Sequence, residues 1–219
     1  MDIILLGAQA SSKGTQAELL AQKLGIPHIS SGDLFPEKIA QQTAPRRQIQ
    51  GYIDRGELVP DDLTVAMILR RFQRSDCQCG VLMDGFPRTL AQAQAFDQGM
   101  DVRGRQVDAV IYLDVGREEL YRRIAGRFIC KAHQHIYNMH SCPPKITGIC
   151  DLDSSELYQR SDDQGEAVRS RLDTFFAQTI RLLDYYGVQG KMARVNGDQA
   201  IEKVHQAIIA CLRIPELTA

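Results

Sequence analysis

The chain has 219 residues, 44% of them apolar and 24% charged, with a formal net charge of −1 at pH 7. That length supports one buried core with small inserted lobes, and so slight a net charge offers no general basic field to a nucleic acid, though clustered arginines could still hold an anionic small molecule. The longest apolar runs, such as Ile3–Leu6 and Val110–Leu113, are too short to cross a bilayer. Met1 leads straight into a strand-like run with no basic leader, and the six cysteines do not form a small disulfide framework, so a cytoplasmic protein with reduced thiols and no membrane or nucleic-acid partner is expected.

From the N-terminus, Asp2–Leu6 is almost continuously apolar and predicts a strand covered on both faces. A helix over Thr15–Leu24 and a strand over Pro27–Ser30 follow. Ser31–Val59 is mostly polar and helical, interrupted by Pro36 and Pro45. Regular alternation then resumes: helix Asp61–Arg74, strand Gly80–Asp84, helix Thr89–Gln98, strand Asp108–Asp114 and helix Arg117–Gly126. Arg127–Arg160 breaks the pattern again, with three of the six cysteines and the Pro143–Pro144 pair. Gln164–Tyr186 has the clearest helical period, with Val168, Leu172, Phe175, Phe176, Leu182 and Leu183 at three- and four-residue steps. A strand over Lys191–Val195 and a helix over Ala200–Leu212 close the series. Such alternation predicts an α/β fold, a parallel sheet flanked by helices, with the two irregular segments inserted on the rim where such folds bind ligands.

Between the first strand and first helix lies Gly7-Ala8-Gln9-Ala10-Ser11-Ser12-Lys13-Gly14-Thr15-Gln16. These are the parts of a phosphate-binding loop: backbone N–H groups and a helix start face phosphates, Lys13 neutralises them, and the Thr15 hydroxyl reaches phosphate or Mg²⁺. The pattern calls for glycine immediately before the lysine, where this chain has Ser12. Read without its surroundings, the segment is equally a strand-to-helix turn that contains a lysine. Asp84-Gly85-Phe86-Pro87-Arg88, with Gln92 one turn into the next helix, supplies a carboxylate at a strand end for hydrated Mg²⁺ and a forked donor for a phosphate. Arg123 and Arg127 are four apart and share a helix face, Arg160 precedes Asp162-Asp163, and Arg169 and Arg171 open the long helix.

Gly7–Gln16, Ile29-Ser30-Ser31-Gly32-Asp33, Gly56-Glu57-Leu58-Val59, Asp84–Arg88 with Gln92, and Arg160-Ser161-Asp162-Asp163 together resemble the adenylate kinases in order and spacing, nearly end to end. The resemblance implies a P-loop kinase core with a five-stranded parallel sheet over 1–29, 60–125 and 164–219, a helical monophosphate-binding lobe over 30–59 and a lid over 126–163. It further implies that Ala10, Ser11, Ser12, Lys13, Gly14 and Thr15 hold ATP, with Arg127 and the Ile136-Tyr137 edge above it and Gln199 beside the base. AMP would meet Ser31, Glu57, Leu58, Val59, Gly85, Phe86, Pro87, Arg88 and Gln92. Arg123, Arg160 and Arg171 would bridge the two phosphate chains, while Asp33 and Asp84 order water around Mg²⁺. Lys13, Arg88, Arg123, Arg160 and Arg171 are the expected catalytic set, in a monomer. Gln92 suits adenine because a carboxamide donates and accepts at once, whereas Ser31, in place of the commoner threonine, leaves another monophosphate or a GTP donor open.

Three positions depart from the family pattern: Ala10 and Ser12 stand where glycines are expected, and Pro36 where an arginine grips the acceptor phosphate. A side chain held left-handed costs on the order of 1–2 kcal/mol, and a lost arginine–phosphate contact about 1.5–3 kcal/mol. Slow turnover, or a nucleotide sensor without catalysis, is therefore the competing expectation, with Arg46 or Arg47 as substitute cations. In the lid, Cys130-x-x-His133 and Cys150-x-x-Asp153, sixteen residues apart, read as two knuckles offering four donors to structural Zn²⁺, with His135, His140 and Cys142 as stand-ins. The alternative is a metal-free lid in which the same side chains hydrogen-bond. Cys77 and Cys79 flank a loop, and Cys211 fits the buried face of the last helix.

Overall fold

All five expected sheet strands form, each within two residues of its expected start and end: β1 (Asp2–Leu6), β2 (His28–Ser30), β3 (Val81–Asp84), β4 (Ala109–Asp114) and, in the order of the chain, β8 (Met192–Asn196). The computed structural model describes residues 1–30, 59–133, 135–159, 163 and 165–213. Of the expected site residues, Ser31, Asp33, Glu57, Leu58 and Arg160 lie outside this set, as do Pro36, Arg46 and Arg47.

The sheet order is β2-β3-β1-β4-β8, and every pairing is parallel. β1 is buried along its whole length because both faces are covered. Its residues alternate: Ile4 and Leu6 join a cluster with Ile68, Phe72, Phe86, Phe96 and Leu182, while Ile3 and Leu5 join Leu20, Val204, Ile208 and Leu212. The first cluster is closed by α2 (Asp61–Arg71), α3 (Leu90–Asp101) and α6 (Arg181–Gly187), the second by α1 (Lys13–Leu24) and α7 (Ile201–Leu212). Since β1 lies between β3 on one side and β4 on the other, the crevice at its carboxyl end is the topological switch point, where ligands of such sheets bind.

After α4 (Arg117–Ala125) the chain leaves this sheet for a second, three-stranded one, β6-β5-β7, built antiparallel from β5 (Arg127–Cys130), β6 (Ile136–Asn138) and β7 (Leu157–Tyr158). The long helix expected over 164–186 is broken. It runs as α5 (Gly165–Thr174), widens to a π-turn over Phe175–Thr179, and continues as α6. Periodicity predicts the two helical halves, since Val168, Leu172 and Leu182 are all buried. It does not predict the inserted residue, whose effect is to aim Thr179 at the Arg88 carbonyl, to which its hydroxyl donates at 3.0 Å. Cys211 is exposed, contrary to expectation: on α7 the buried positions are Val204, Ile208, Ile209 and Leu212, and Cys211 falls between them. No described helix is long and apolar enough to cross a membrane.

Candidate active site

The loop after β1 folds tightly on itself. A side chain at Gly7 would come within 2.5 Å of Ser11 Oγ and 3.1 Å of the Leu113 carbonyl. Ala10 (φ 63°) and Ser12 (φ 69°) both adopt left-handed backbone, so the two residues standing in for glycines hold the conformation that glycine favours. At the start of α1, Ser12 provides no side-chain cap and the first turn has no acid, whereas α2 opens with Asp61 and Asp62 and α4 with Glu118 and Glu119. The N–H groups of α1 therefore face the crevice without an internal anion, a setting suited to phosphate. Lys13 Nζ bends back over the loop to donate to the Ala8 carbonyl at 2.8 Å.

Desolvation pulls the Lys13 ammonium below the usual lysine range; Asp84 opposes this, and the charges of Arg88, Arg127 and Arg171 reinforce it. Asp84 and Arg88 come from the end of β3 and the turn after it, Arg127 from β5 and Arg171 from α5. Asp84, at the end of β3, approaches the start of α1: its Oδ2 lies 4.0 Å from where a Gly14 side chain would begin. Desolvation works against its charge, but His28, Lys13 and Arg88 outweigh it and hold the carboxyl below its ordinary value. An ionised Asp84 beside the phosphate loop fits a role in ordering hydrated Mg²⁺.

Beyond Asp84 the chain turns through Gly85 (φ 74°) and a cis Phe86–Pro87 peptide to Arg88. Phe86 does not line the crevice with its ring, which is 1% exposed and packs edge-on to Phe96 at 5.3 Å. Arg88 Nε donates to the Gly85 carbonyl at 2.8 Å, which holds the side chain over its own turn. Gln92 is 3% exposed, accepts from the Arg88 N–H at 2.7 Å and donates to Asp61 at 2.7 Å. Val59 is buried, and its carbonyl accepts from the Thr64 hydroxyl at 3.4 Å.

The remaining arginines divide. Arg127, on β5, is bound by both oxygens of Asp163, whose side chain is 0% exposed; Gln9 donates to the same carboxylate at 2.6 Å, and Arg171 stands 4.0 Å away. Asp163 thus ties the phosphate loop, the lid sheet and α5 together, a junction that the Asp162-Asp163 spacing only hinted at. Arg123 instead engages Glu119 at 2.7 Å and Asp198 at 3.3 Å. Hydrogen bonds from Arg122 and Arg123 pull Glu119 down to about 2. Gln199 is exposed and donates to the Asn196 carbonyl at 3.0 Å. Ile136 is exposed, but Tyr137 turns inward, with its hydroxyl 3.4 Å from Cys150 Sγ and accepting from the Asp151 N–H at 2.7 Å. Its side chain packs with Cys130 and Cys150 inside the three-stranded sheet.

At the three-stranded sheet, four potential ligand atoms gather from Cys130, His135, Cys150 and Asp153, all within 4.8 Å of one another. Cys130 Sγ lies 3.2 Å from Asp153 Oδ2 and 3.4 Å from His135 Nδ1, which is 3.3 Å from Cys150 Sγ. A zinc tetrahedron with bonds of about 2.0–2.3 Å has edges of roughly 3.3–3.8 Å, close to these separations. The histidine that joins this group is His135, whereas the expected one was His133. The His133 ring, 69% exposed, stacks on that of His135, and its Nδ1 lies 2.9 Å from Asp153. The backbone N–H groups of His133 and His135 both donate to Cys130 Sγ at 3.3 Å. Burial opposes a Cys130 thiolate, yet the His133 N–H, the Ser155 side chain and the His135 N–H together outweigh it and lower the thiol, as a metal-ligating sulfur needs.

Comparison with known proteins agrees with this geometry. The sequence model of the adenylate kinase family matches residues 5–191. The adenylate kinase of Bacillus subtilis is 43% identical over 205 residues, 94% of each chain. That of Streptomyces avermitilis is 44% identical over 214 residues, 97% of each. The Staphylococcus aureus adenylate kinase is 42% identical over 212 residues, 97% of this chain and 99% of the relative. The chain belongs to the adenylate kinase family. It is accordingly an ATP-binding transferase of the nucleoside-monophosphate kinase type, and its five-stranded parallel sheet is the family's P-loop kinase core.

Proposed function

We propose that this adenylate kinase family member transfers the terminal phosphoryl group of Mg-ATP to AMP, reversibly, giving two ADP, with Lys13, Arg88, Arg123, Arg160 and Arg171 as the cations that carry the reaction and Arg127 as a contact to the donor. The observation that carries this reading is the grouping at the start of α1: Lys13 lies over the loop on the Ala8 carbonyl, Asp84 reaches Gly14, and Asp163 gathers Gln9 of the loop with Arg127 and Arg171. Crowded, partly desolvated positive charges are costly by themselves and are relieved by a polyphosphate.

The attacking oxygen of a monophosphate is already anionic, so no general base is required. Lys13 and the N–H groups of α1 hold the donor's phosphates, and Thr15 stands at the same helix start. Arg88 and the Gly85 turn hold the acceptor, with Gln92 at its base, and the family resemblance adds Ser31 and Glu57–Val59 as acceptor contacts. Arg123, Arg160 and Arg171 spread positive charge over the group in flight. The lid, 126–163, and the lobe, 30–59, exclude water, without which the donor would be hydrolysed. Asp84, with Asp33, would order the Mg²⁺ shell, and the ion's contribution is neutralisation of the donor's terminal oxygens. Structural Zn²⁺ would sit among Cys130, His135, Cys150 and Asp153 and stiffen the lid. The enzyme acts as a monomer.

The left-handed Ala10 and Ser12 favour one second reading, a weakly catalytic or non-catalytic nucleotide binder. A coupled assay across the common monophosphates and donors tests both. ADP formation that is fastest with ATP and AMP supports the kinase. Tight nucleotide binding with no ADP formed from any pair supports the sensor, and a faster rate with another monophosphate or with GTP would reassign the substrate.

A further inference from the structure

Gln92 is held from both ends. Its Oε1 accepts from the Arg88 N–H and its Nε2 donates to Asp61 Oδ1, each at 2.7 Å. The other Asp61 oxygen accepts from the Thr89 hydroxyl at 2.8 Å, and that hydroxyl in turn accepts from the Gln92 N–H at 3.1 Å. Asp61 begins α2 and Thr89 caps α3, so the amide is locked where two helices meet.

A backbone N–H only donates and an ionised carboxylate only accepts. Between these two partners the Gln92 amide has one satisfactory orientation, with oxygen toward Arg88 and nitrogen toward Asp61. One N–H and one lone pair remain, in a fixed order. The pairing edge of adenine offers an acceptor at N1 and a donor at the 6-amine, whereas a 6-oxopurine offers a donor at N1 and an acceptor at O6. An amide free to flip serves either edge; a locked amide serves one.

We infer that Asp61 is a positioning residue for acceptor-base selection, acting through Gln92 and not by touching the nucleotide. The inference rests on the reading of Gln92 as facing the acceptor base. Replacing the carboxylate by an amide, which both donates and accepts, removes one of the two locks.

The test is a double-mutant cycle of Asp61→Asn and Gln92→Ala, with KM and kcat for AMP and for inosine monophosphate, KM for ATP, and calorimetric binding of the two monophosphates. Asp61→Asn is expected to raise KM for AMP about tenfold, to narrow the preference for AMP over inosine monophosphate by a similar factor, and to leave kcat and KM for ATP within about twofold. In the Gln92→Ala background it should add nothing further. An unchanged preference, a parallel rise in KM for ATP, or a full Asp61→Asn effect without Gln92 overturns the inference and leaves a merely structural contact. Absence of turnover in the wild type would defeat the kinase reading, yet the calorimetric comparison would still decide the role of Asp61.

Discussion

In the cleft, Lys13, Asp84, Arg88, Arg127 and Arg171 arrive from elements scattered along the chain, while in the lid Cys130, His135, Cys150 and Asp153 come from two short turns of one small sheet. The cleft sets like charges close together, which is tolerable only because strand ends and helix starts hold them there. The lid sets soft and anionic donors around one point, a cluster that a single dication would satisfy. Both are sites of unbalanced charge, of opposite sign. The cleft is left ready for an anionic substrate that comes and goes, and the lid for a cation that stays.

That contrast can be broken first in the lid. His135→Ala should remove most of the zinc retained on purification without added metal and lower Tm by roughly 4–8 °C, on the order of 2 kcal/mol. His133→Ala should weaken metal binding about tenfold or less, because its ring contacts Asp153 from outside the group of four. Metal analysis and thermal melts of both variants check the order, and equal losses would mean that the two histidines share the site. In the cleft, Ser12→Gly relieves a left-handed side chain and should stabilise the protein by about 1 kcal/mol. Thermal melts read the stability and the coupled assay the rate; a lower Tm would show that the serine contributes more than its backbone costs.

The smallest expected effect lies between the two regions, at the Glu119 contact that holds Arg123. The carboxyl is depressed from 4.5 to about 2, so its stabilisation is complete above pH 4.5 and disappears as pH falls toward 2. The Arg122 half of the contact is 61% exposed and screened, which leaves most of a contribution on the order of 1 kcal/mol to the 17%-exposed Arg123. Glu119→Gln should therefore melt slightly earlier than the wild type at pH 6, with the gap closing between pH 4.5 and 2. A gap that persists at the acid end would assign the loss to packing.

The core was legible because its strands are nearly continuous apolar runs and its helices carry a strong period, two signals that local chemistry writes directly into the residue order. The phosphate loop was legible even with Ala10 and Ser12 in place of glycines, since Lys13, Gly14 and Thr15 keep their places at the helix start that follows a strand. The identity of the lid histidine was not. His133 and His135 are two apart in a turn, their rings stack, and only the path of the backbone decides which one reaches Cys150. Nor was the π-turn, because one extra residue in a helix leaves the apolar spacing on either side intact while redirecting Thr179 toward Arg88. Nor was the role of Asp61, whose partners Thr89 and Gln92 lie on another helix, whereas Glu119 meets Arg122 and Arg123 at ordinary helical spacing.

The central claim is that Lys13 and the arginines converge on two polyphosphate chains laid end to end. Calorimetric titration with a dinucleoside polyphosphate long enough to fill both subsites tests it most directly, comparing wild type, Lys13→Met and Arg88→Ala. One molecule should bind per chain and exclude both ATP and AMP, and each variant should lose at least about tenfold in affinity. Binding that leaves ATP and AMP free to bind alongside, or that is indifferent to Lys13 and Arg88, would contradict the account.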